Sequence, residues 1–374
     1  MTPLDYPEWK ENQNTDRGRL HLSPKPPQCD GFGQICYYER VDLWVFGGRR
    51  PQQKVMFPAT TQGPQGKGRN MNGEASTKLD IETAAAAHAL PELGDGVDYA
   101  TGEFSGEGDT SIFYQRWLPR RTSLRGVVVV VHGLGEHGGR YLNLVRRLLP
   151  EGYGLYASDH RGFGRSGGER GHITHFREYL LDLRQTVGLA RAAHPDVPLT
   201  MFAHSMGGLI GVRYLQTFGD TVDQAILCAP ALGLRTDRAS KGLLLLLRIM
   251  SRVQPAYRVD NQGSEPVSRD PEVVAAFEVD PFNNPWVTAR WATEMMAAQT
   301  HWPQEMARLR MPLLIVQGLA DRLVIPELTQ SFFRDLPAED KTLYLYAEHY
   351  HELINDLDRE IPLDDIAHWL MERS

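Results

Sequence analysis

The 374-residue sequence predicts an α/β fold with a mostly parallel, doubly wound sheet. From about residue 99 onward, strand-like and helix-like segments alternate. Residues 126–131 read GVVVVV, a continuous β-branched run typical of a strand buried on both faces of a parallel sheet. The alternation is interrupted at about residues 233–302, where the pattern becomes helical. We therefore expect one α/β domain over residues 99–374, with a helical cap inserted into it.

The individual elements follow from hydrophobic periodicity and from turn residues. Residues 111–118 alternate as an antiparallel strand does, and the remaining strands are predicted at 126–131, 154–157, 199–202, 225–229, 312–317 and 342–346. Helices are predicted at 139–149, 176–193, from the end of the 199–202 strand to about 218, and at 363–371, with three more in the cap at 242–253, 272–279 and 288–298. An insertion that is all helical is most simply a cap over the carboxyl ends of the strands, where open α/β sheets bind ligands.

Residues 1–98 have a different composition, with two stretches rich in proline and glycine. Residues 37–46 are predicted to form a short strand or hairpin arm, and residues 81–90 a capped, alanine-rich helix. This region buries too little apolar surface to fold alone, so we expect a largely irregular extension that is disordered or loosely docked. A second hypothesis is that translation starts at Met71.

Composition excludes several classes of protein. The net charge of -7 argues against a nucleic-acid-binding surface. Three cysteines with no CxxC spacing indicate neither a disulfide framework nor a zinc site, and no metal or organic cofactor is expected. The amino terminus lacks an apolar signal region, and the chain has no run of 18 apolar residues. We therefore expect a cytoplasmic enzyme that can also attach peripherally to membranes. The sequence leaves the oligomeric state open.

A candidate nucleophile, Ser205, stands between a predicted strand and a predicted helix. Its neighbours two positions away, Ala203 and Gly207, are small, which is the pattern of a nucleophile elbow. In that turn the helix starts close to the strand, so bulky residues at either position would clash. Ala203 replaces the usual glycine with the least crowding alternative. Taken alone, the pattern also fits a serine in an ordinary tight turn.

Partners for a serine nucleophile are available at the ends of later strands. Asp321 follows the strand at 312–317, although on position alone it is equally a turn-forming aspartate. His349 and His351 both follow the last strand, and the residue types do not separate them from surface loop histidines. The chain order Ser, Asp, His is the order of α/β-hydrolases.

An oxyanion hole requires backbone N–H groups directed at the developing negative charge. Met206 directly follows the serine at the start of its helix and supplies one candidate. The loop HGLG at residues 132–135 follows an earlier strand, and Leu134 is the candidate for the second donor. The alternative is that the glycines only allow a tight turn of the backbone and that the loop has no catalytic role. A phosphate-binding loop is excluded because the GK[ST] ending is missing.

Four motifs together resemble the monoacylglycerol lipases and related lysophospholipases of the α/β-hydrolase superfamily. They are HGLGEHGGRY at residues 132–141, DHRGFGRSGG at 159–168, HSMGG at 204–208 and HELIN at 351–355. The resemblance covers roughly residues 100–374 and selects His351 over His349.

The resemblance implies a serine hydrolase that cleaves carboxylic esters of single-chain lipids, monoacylglycerols or lysophospholipids, through an acyl-enzyme. It implies Ser205 as nucleophile, His351 as base and Asp321 as the orienting acid, with Leu134 and Met206 as oxyanion donors. Four further motif residues are expected to organise loops: Glu136, Arg140, Asp159 and Arg161.

Other functions on the same scaffold stay open, because fold and triad do not determine substrate. They are a small-ester carboxylesterase, a serine aminopeptidase and a non-catalytic ligand-binding protein. The complete set of triad candidates argues against the last of these. An aminopeptidase needs cap carboxylates to bind a free amine, and the candidates are Glu265, Asp270, Glu272, Glu278 and Asp280. The leucine run at residues 243–247 is either a cap helix packed on its neighbours or a surface that docks transiently on lipid.

Overall fold

The computed structural model describes residues 28–29, 34–38, 95–234, 241–260 and 266–374. The helix predicted at residues 81–90 lies outside the described residues, as does the predicted strand from residue 39 to residue 46. Met71, the hypothetical start, also lies outside them.

Within the described residues, ten strands form one central sheet. They are β1 (Gln28–Cys29), β2 (Gln34–Tyr38), β3 (Val97–Ser105), β4 (Ser111–Pro119), β5 (Gly126–Val131), β6 (Tyr153–Ser158), β7 (Leu199–His204), β8 (Gln224–Cys228), β11 (Leu313–Gly318) and β12 (Lys341–Tyr346). Their order across the sheet is β1-β2-β12-β11-β8-β7-β5-β6-β4-β3. Strands β9 (Arg258–Asp260) and β10 (Trp286–Thr288) lie in the segment inserted between β8 and β11 and are not part of this sheet. Strand β3 was not predicted; most of its residues are partly exposed, so its sequence has no buried-strand pattern.

The centre of the sheet is parallel, as predicted. From β2 through β12, β11, β8, β7 and β5 to β6, every neighbouring pair is parallel, whereas β4 and β3 add to one edge in antiparallel orientation. At the other edge β2 pairs with β12, with Gln34 opposite Thr342. A short piece of the amino-terminal region is therefore part of the sheet. Strand β3 begins at Val97, just before the predicted domain boundary.

Helices cover both faces of the sheet. They are α1 (Leu142–Leu148), α2 (Arg177–Ala193), α3 (Met206–Phe218), α4 (Lys241–Val253), α5 (Pro271–Val279), α6 (Ala289–His301), α7 (Pro326–Asp335) and α8 (Glu360–Met371). Helix α7 was not predicted.

The two faces form separate cores because side chains alternate along a strand. In β5, Val127, Val129 and Val131 belong to the core that contains residues of α2, α3 and α7. Val128 and Val130 belong to the other core, together with residues of α1 and α8. The six fully buried residues of β5 explain the uninterrupted GVVVVV pattern and confirm the doubly wound fold.

The segment inserted between β8 and β11 contains α4, α5 and α6, as predicted, but it is not all helical. Two strands, β9 (Arg258–Asp260) and β10 (Trp286–Thr288), pair as a small antiparallel sheet within it. Each strand has only three residues and they are far apart in sequence, so no local pattern marks them. In the part of the chain that is described, no helix has both the length and the apolar character needed to cross a membrane.

Candidate active site

The candidate nucleophile occupies a strained turn between β7 and α3. Ser205 has φ 53° and ψ -119°, a conformation that L-residues rarely adopt. Its N–H donates to the Cys228 carbonyl at 3.0 Å, and its carbonyl accepts from Ala231 N–H at 2.9 Å. These hydrogen bonds to the last residue of β8 and to the segment after it hold the turn in place, so the backbone geometry predicted for the elbow is present.

Close packing explains the small residues around this turn. A side chain on Gly207 would put a Cβ atom 2.1 Å from the Val131 carbonyl oxygen, which no rearrangement of a side chain could relieve. Ala203 is accommodated by a second glycine: a Cβ atom on Gly211 would lie 2.8 Å from the Ala203 methyl. The alanine at position 203 is thus matched by the absence of a side chain one helical turn into α3.

A hydrogen-bonded chain joins the three residues expected to form the triad. His351 Nε2 lies 2.7 Å from Ser205 Oγ, and His351 Nδ1 lies 2.7 Å from Asp321 Oδ2. The other carboxylate oxygen of Asp321 accepts from the N–H groups of Leu323 and Val324 at 2.8 and 3.1 Å. His349 is not part of this chain; its ring packs against Tyr346. The structure thereby separates the two histidines that the residue types alone did not.

The electrostatics of this chain favour ionised Asp321. Burial alone would raise the pKa of Asp321, but the positive charge of His351 and the hydrogen bonds that the carboxylate accepts outweigh it and lower the pKa. Burial alone would lower the pKa of His351, but the charge of Asp321 and its hydrogen bond raise it. Burial, together with the charge of His351, lowers the pKa of the neighbouring His204 to about 3, so His204 stays neutral.

Both predicted oxyanion donors lie beside Ser205. Met206 begins α3 directly after the serine, and Leu134 follows β5 in the loop after His132. A Cβ atom on Gly133 would lie 3.3 Å from Ser205 Cβ, which brings this loop against the nucleophile. Within the described residues, neither Leu134 N–H nor Met206 N–H donates to a protein acceptor.

A buried charge network supports this loop. Arg140 donates from Nε to Glu136 at 3.2 Å and from Nη2 to Glu352 at 2.9 Å. Glu136 and Arg140 were expected to organise loops, but the partner Glu352, next to His351, was missed. Its place in the HELIN motif was the available signal. The network joins the loop after β5 to the loop that holds the candidate base.

The inserted segment also contacts the loop after β5. Asn284 N–H donates to the Gly135 carbonyl at 2.8 Å, and His137 Nε2 lies 3.0 Å from an oxygen of Asp280. The Arg140 guanidinium lies over the Phe277 ring, 4.7 Å from its centroid. These contacts were not predicted because each joins residues more than 130 positions apart.

Asp159 and Arg161 organise the adjoining loop, as expected. One oxygen of Asp159 accepts from Gly138 N–H and the other from Arg165 N–H, both at 2.8 Å. Arg161 binds Asp182 through two nitrogens, at 2.6 and 2.7 Å. Arg161 Nη2 also donates to the Glu107 carbonyl at 2.8 Å, so both residues hold backbone groups in place.

The fold and the site define a class. A serine on a strained strand-to-helix turn, hydrogen-bonded to a histidine and an aspartate at the carboxyl ends of β12 and β11, is the arrangement of serine hydrolases with the α/β-hydrolase fold. The chain matches the family described as Serine aminopeptidase, S33, over residues 122–358. It belongs to this hydrolase family.

Individual relatives are similar over most of their own length. The monoacylglycerol lipase of Mycolicibacterium smegmatis is 36% identical over 269 residues, which are 72% of this chain and 95% of that protein. The phospholipase YtpA of Bacillus subtilis is 30% identical over 63% of this chain and 90% of its own. The crystal structure of a monoacylglycerol lipase from Paleococcus ferrophilus superposes with a TM-score of 0.62 at 28% identity, covering 74% of this chain and all of the other.

Proposed function

We propose that this serine hydrolase cleaves the carboxylic ester of a single-chain lipid, a monoacylglycerol or a lysophospholipid, through an acyl-enzyme. The observation that carries the proposal is the unbroken hydrogen-bonded chain from Ser205 Oγ through His351 to Asp321. The choice of substrate is supported by relatives named monoacylglycerol lipase and phospholipase.

In the proposed mechanism, His351 takes the proton of Ser205 as Oγ attacks the ester carbonyl. Asp321 holds the imidazole in the required tautomer and stabilises the imidazolium. Leu134 N–H and Met206 N–H stabilise the oxyanion of the tetrahedral intermediate. His351 then protonates the departing alcohol. In the second half of the reaction His351 takes a proton from water as the water attacks the acyl-enzyme, and then returns the proton to Ser205 as the acid is released.

The decisive experiment combines one variant with a substrate panel. Ser205→Ala should abolish both ester hydrolysis and labelling by a fluorophosphonate probe, because the attacking oxygen is removed. Wild-type protein is assayed with monoacylglycerols, lysophospholipids, p-nitrophenyl esters and aminoacyl amides. Labelling that survives in the variant refutes Ser205 as nucleophile, and a preference for short esters or amides refutes the lipid substrate.

The aminopeptidase alternative is weakened by the positions of the cap carboxylates. Asp270 caps α5 by accepting from Glu272 N–H and lies 3.6 Å from Arg359. Asp280 pairs with His137. Glu272 and Glu278 are exposed on α5, and Glu265 lies outside the described residues. The described carboxylates thus have partners or face solvent, whereas recognition of a free amine needs them in the site.

We further propose that α4 rests on an anionic lipid surface. Its exposed side includes Leu246 and Val253, with 53% and 77% of their surface accessible, and also Ile249. The charged residues of α4 are all basic, Lys241, Arg248 and Arg252, on a protein with a net charge of -7. An apolar stripe flanked by basic residues is the pattern of a helix that lies in the plane of a membrane interface.

A further inference from the structure

We propose that His132 and Glu136 are positioning residues that together fix the direction of the Leu134 N–H. They do so by holding the two peptide groups on either side of Gly133. The inference rests on the proposed function, since it concerns how the oxyanion hole of that reaction is kept in shape.

The first contact determines the peptide that carries the donor. His132 Nε2 accepts a hydrogen bond from His160 N–H at 2.8 Å, so this nitrogen carries no proton. His132 Nδ1 lies 2.8 Å from the Gly133 carbonyl oxygen and must therefore be the protonated nitrogen that donates to it. Burial, followed by the charge of His160, lowers the pKa of His132 well below its usual value, which keeps this neutral tautomer.

The Gly133 carbonyl belongs to the same peptide group as the Leu134 N–H. Peptide groups are planar and the described chain has no cis bond, so the N–H points opposite to the carbonyl. By holding the carbonyl, the His132 ring prevents rotation of this peptide plane. The direction of the candidate oxyanion donor is thus set by a side chain that takes no part in proton transfer.

The second contact holds the preceding peptide. Gly133 N–H donates to Glu136 Oε1 at 2.5 Å, and Tyr141 OH donates to the same oxygen at 2.6 Å. The other oxygen of Glu136 accepts from Arg140 at 3.2 Å. Glycine has little resistance of its own to rotation about φ and ψ. The hydrogen bonds on both sides of Gly133 therefore restrict the φ and ψ rotation that the glycine itself does not restrict.

A matched pair of variants isolates the first contact. His132→Gln places a carbonyl oxygen where Nε2 accepts from His160 and removes the donor to Gly133. His132→Asn places an amide N–H near the position of Nδ1 and keeps that donor. We expect His132→Gln to lower kcat about 10- to 100-fold without raising KM, less than the 100- to 1000-fold typical of losing an oxyanion donor altogether. His132→Asn should recover most of this loss.

A second readout separates oxyanion binding from general damage. An alkyl trifluoromethyl ketone adds to the serine and forms an oxyanion, whereas the matching alkyl alcohol does not. In His132→Gln the affinity for the ketone should fall by the same factor as kcat, while the affinity for the alcohol stays unchanged. His194→Gln, directly after α2 and hydrogen-bonded to Tyr156 OH, serves as control for loss of an imidazole.

Glu136 provides an independent test if the His132 variants fail to fold. Glu136→Met removes the acceptor for Gly133 N–H, and Glu136→Gln retains an amide oxygen; the methionine variant should show the larger loss of kcat and of ketone affinity. Folded variants at either position that bind the ketone as the wild type does overturn the proposal. A wild-type protein that prefers the ketone no more than the alcohol would instead overturn the proposed function.

Discussion

At the scale of single residues, His351 is central because it contacts both other members of the proposed triad. Its two ring nitrogens lie 2.7 Å from Ser205 Oγ and 2.7 Å from Asp321 Oδ2, so its tautomer is set by the aspartate. Because Asp321 accepts from Leu323 and Val324 with its other oxygen, the carboxylate cannot rotate freely. We therefore expect a change at Asp321 to lower turnover, and a change in the charge beside His351 to shift the pH dependence.

Replacing Asp321 should affect turnover more than binding. Asp321→Asn removes the negative charge and puts an amide donor where Nδ1–H now donates, so His351 is held in the wrong tautomer. We expect kcat to fall by about 10³- to 10⁴-fold with little change in KM. Steady-state kinetics measure this, with Asp335→Asn at the exposed end of α7 as control. A loss of less than tenfold would contradict the role given to Asp321.

The pH profile should report the raised pKa of His351. His351 must be neutral to accept the proton of Ser205, so kcat/KM should fall as the pH drops through a midpoint above 6.5. Glu352, beside His351, also raises this pKa, so Glu352→Gln should move the midpoint to lower pH. The exposed Glu348 is the control position. A wild-type midpoint at or below 6.5 is the result against this prediction.

At the scale of elements, the junction of β7 and α3 is the most tightly constrained. Helix α3 lies so close to the sheet that the residue at position 207 must lack a side chain. One turn later, the missing side chain of Gly211 makes room for the Ala203 methyl. Each missing side chain at this junction thus makes room for a particular neighbour, the Val131 carbonyl or the Ala203 methyl.

The match between Ala203 and Gly211 can be tested by a double-mutant cycle. Gly211→Ala should destabilise the protein by about 1–3 kcal/mol because its methyl would meet that of Ala203. Ala203→Gly in the same chain should recover part of this loss, giving a favourable coupling energy. Urea unfolding measures both, and Gly188→Ala, where a methyl meets nothing within 4 Å, is the control. Additive effects of the two changes would show that the residues are not coupled.

At the scale of the whole molecule, the inserted segment connects a candidate lipid-facing surface with the candidate active-site loop after β5. Helix α4 packs against α6, where Ser251 and Thr293 are hydrogen-bonded at 2.7 Å, and leaves its apolar stripe exposed. Farther along the same segment, Asn284 binds the Gly135 carbonyl next to Leu134. The inserted segment thus contacts the loop that carries Leu134, the candidate oxyanion donor.

Membrane contact through α4 can be measured by flotation with vesicles. We expect intact protein to bind vesicles that contain phosphatidylglycerol and phosphatidylcholine more strongly than vesicles of phosphatidylcholine alone. Binding to the anionic vesicles should weaken as the salt concentration is raised. A variant with Leu246→Ser and Ile249→Ser should lose binding, whereas Ile361→Ser, a singly exposed position on α8, should retain it. Absence of binding by the intact protein would exclude docking.

Features that depend on neighbouring residues follow from the order of amino acids alone. Buried parallel strands such as β5 have uninterrupted apolar runs, and the elbow around Ser205 requires small residues at fixed spacing, so both could be predicted without a structure. The prediction was wrong about an all-helical insertion. It also omitted β3, most of whose residues are partly exposed, and α7, although Pro326 and the buried Phe332 and Phe333 are typical of an amphipathic helix. The division at residue 98 stays a prediction.

Contacts between groups that are distant in sequence become known only from the folded chain. Ser205 and His351 are 146 positions apart, and Arg140 and Glu352 are 212 apart, so their contacts depend on how the sheet orders its strands. The same holds for His132, whose tautomer is set by the backbone of His160 at the end of a neighbouring strand. Hydrogen bonds act over about 3 Å. Their partners therefore cannot be assigned from residue type until the packing of the strands is known.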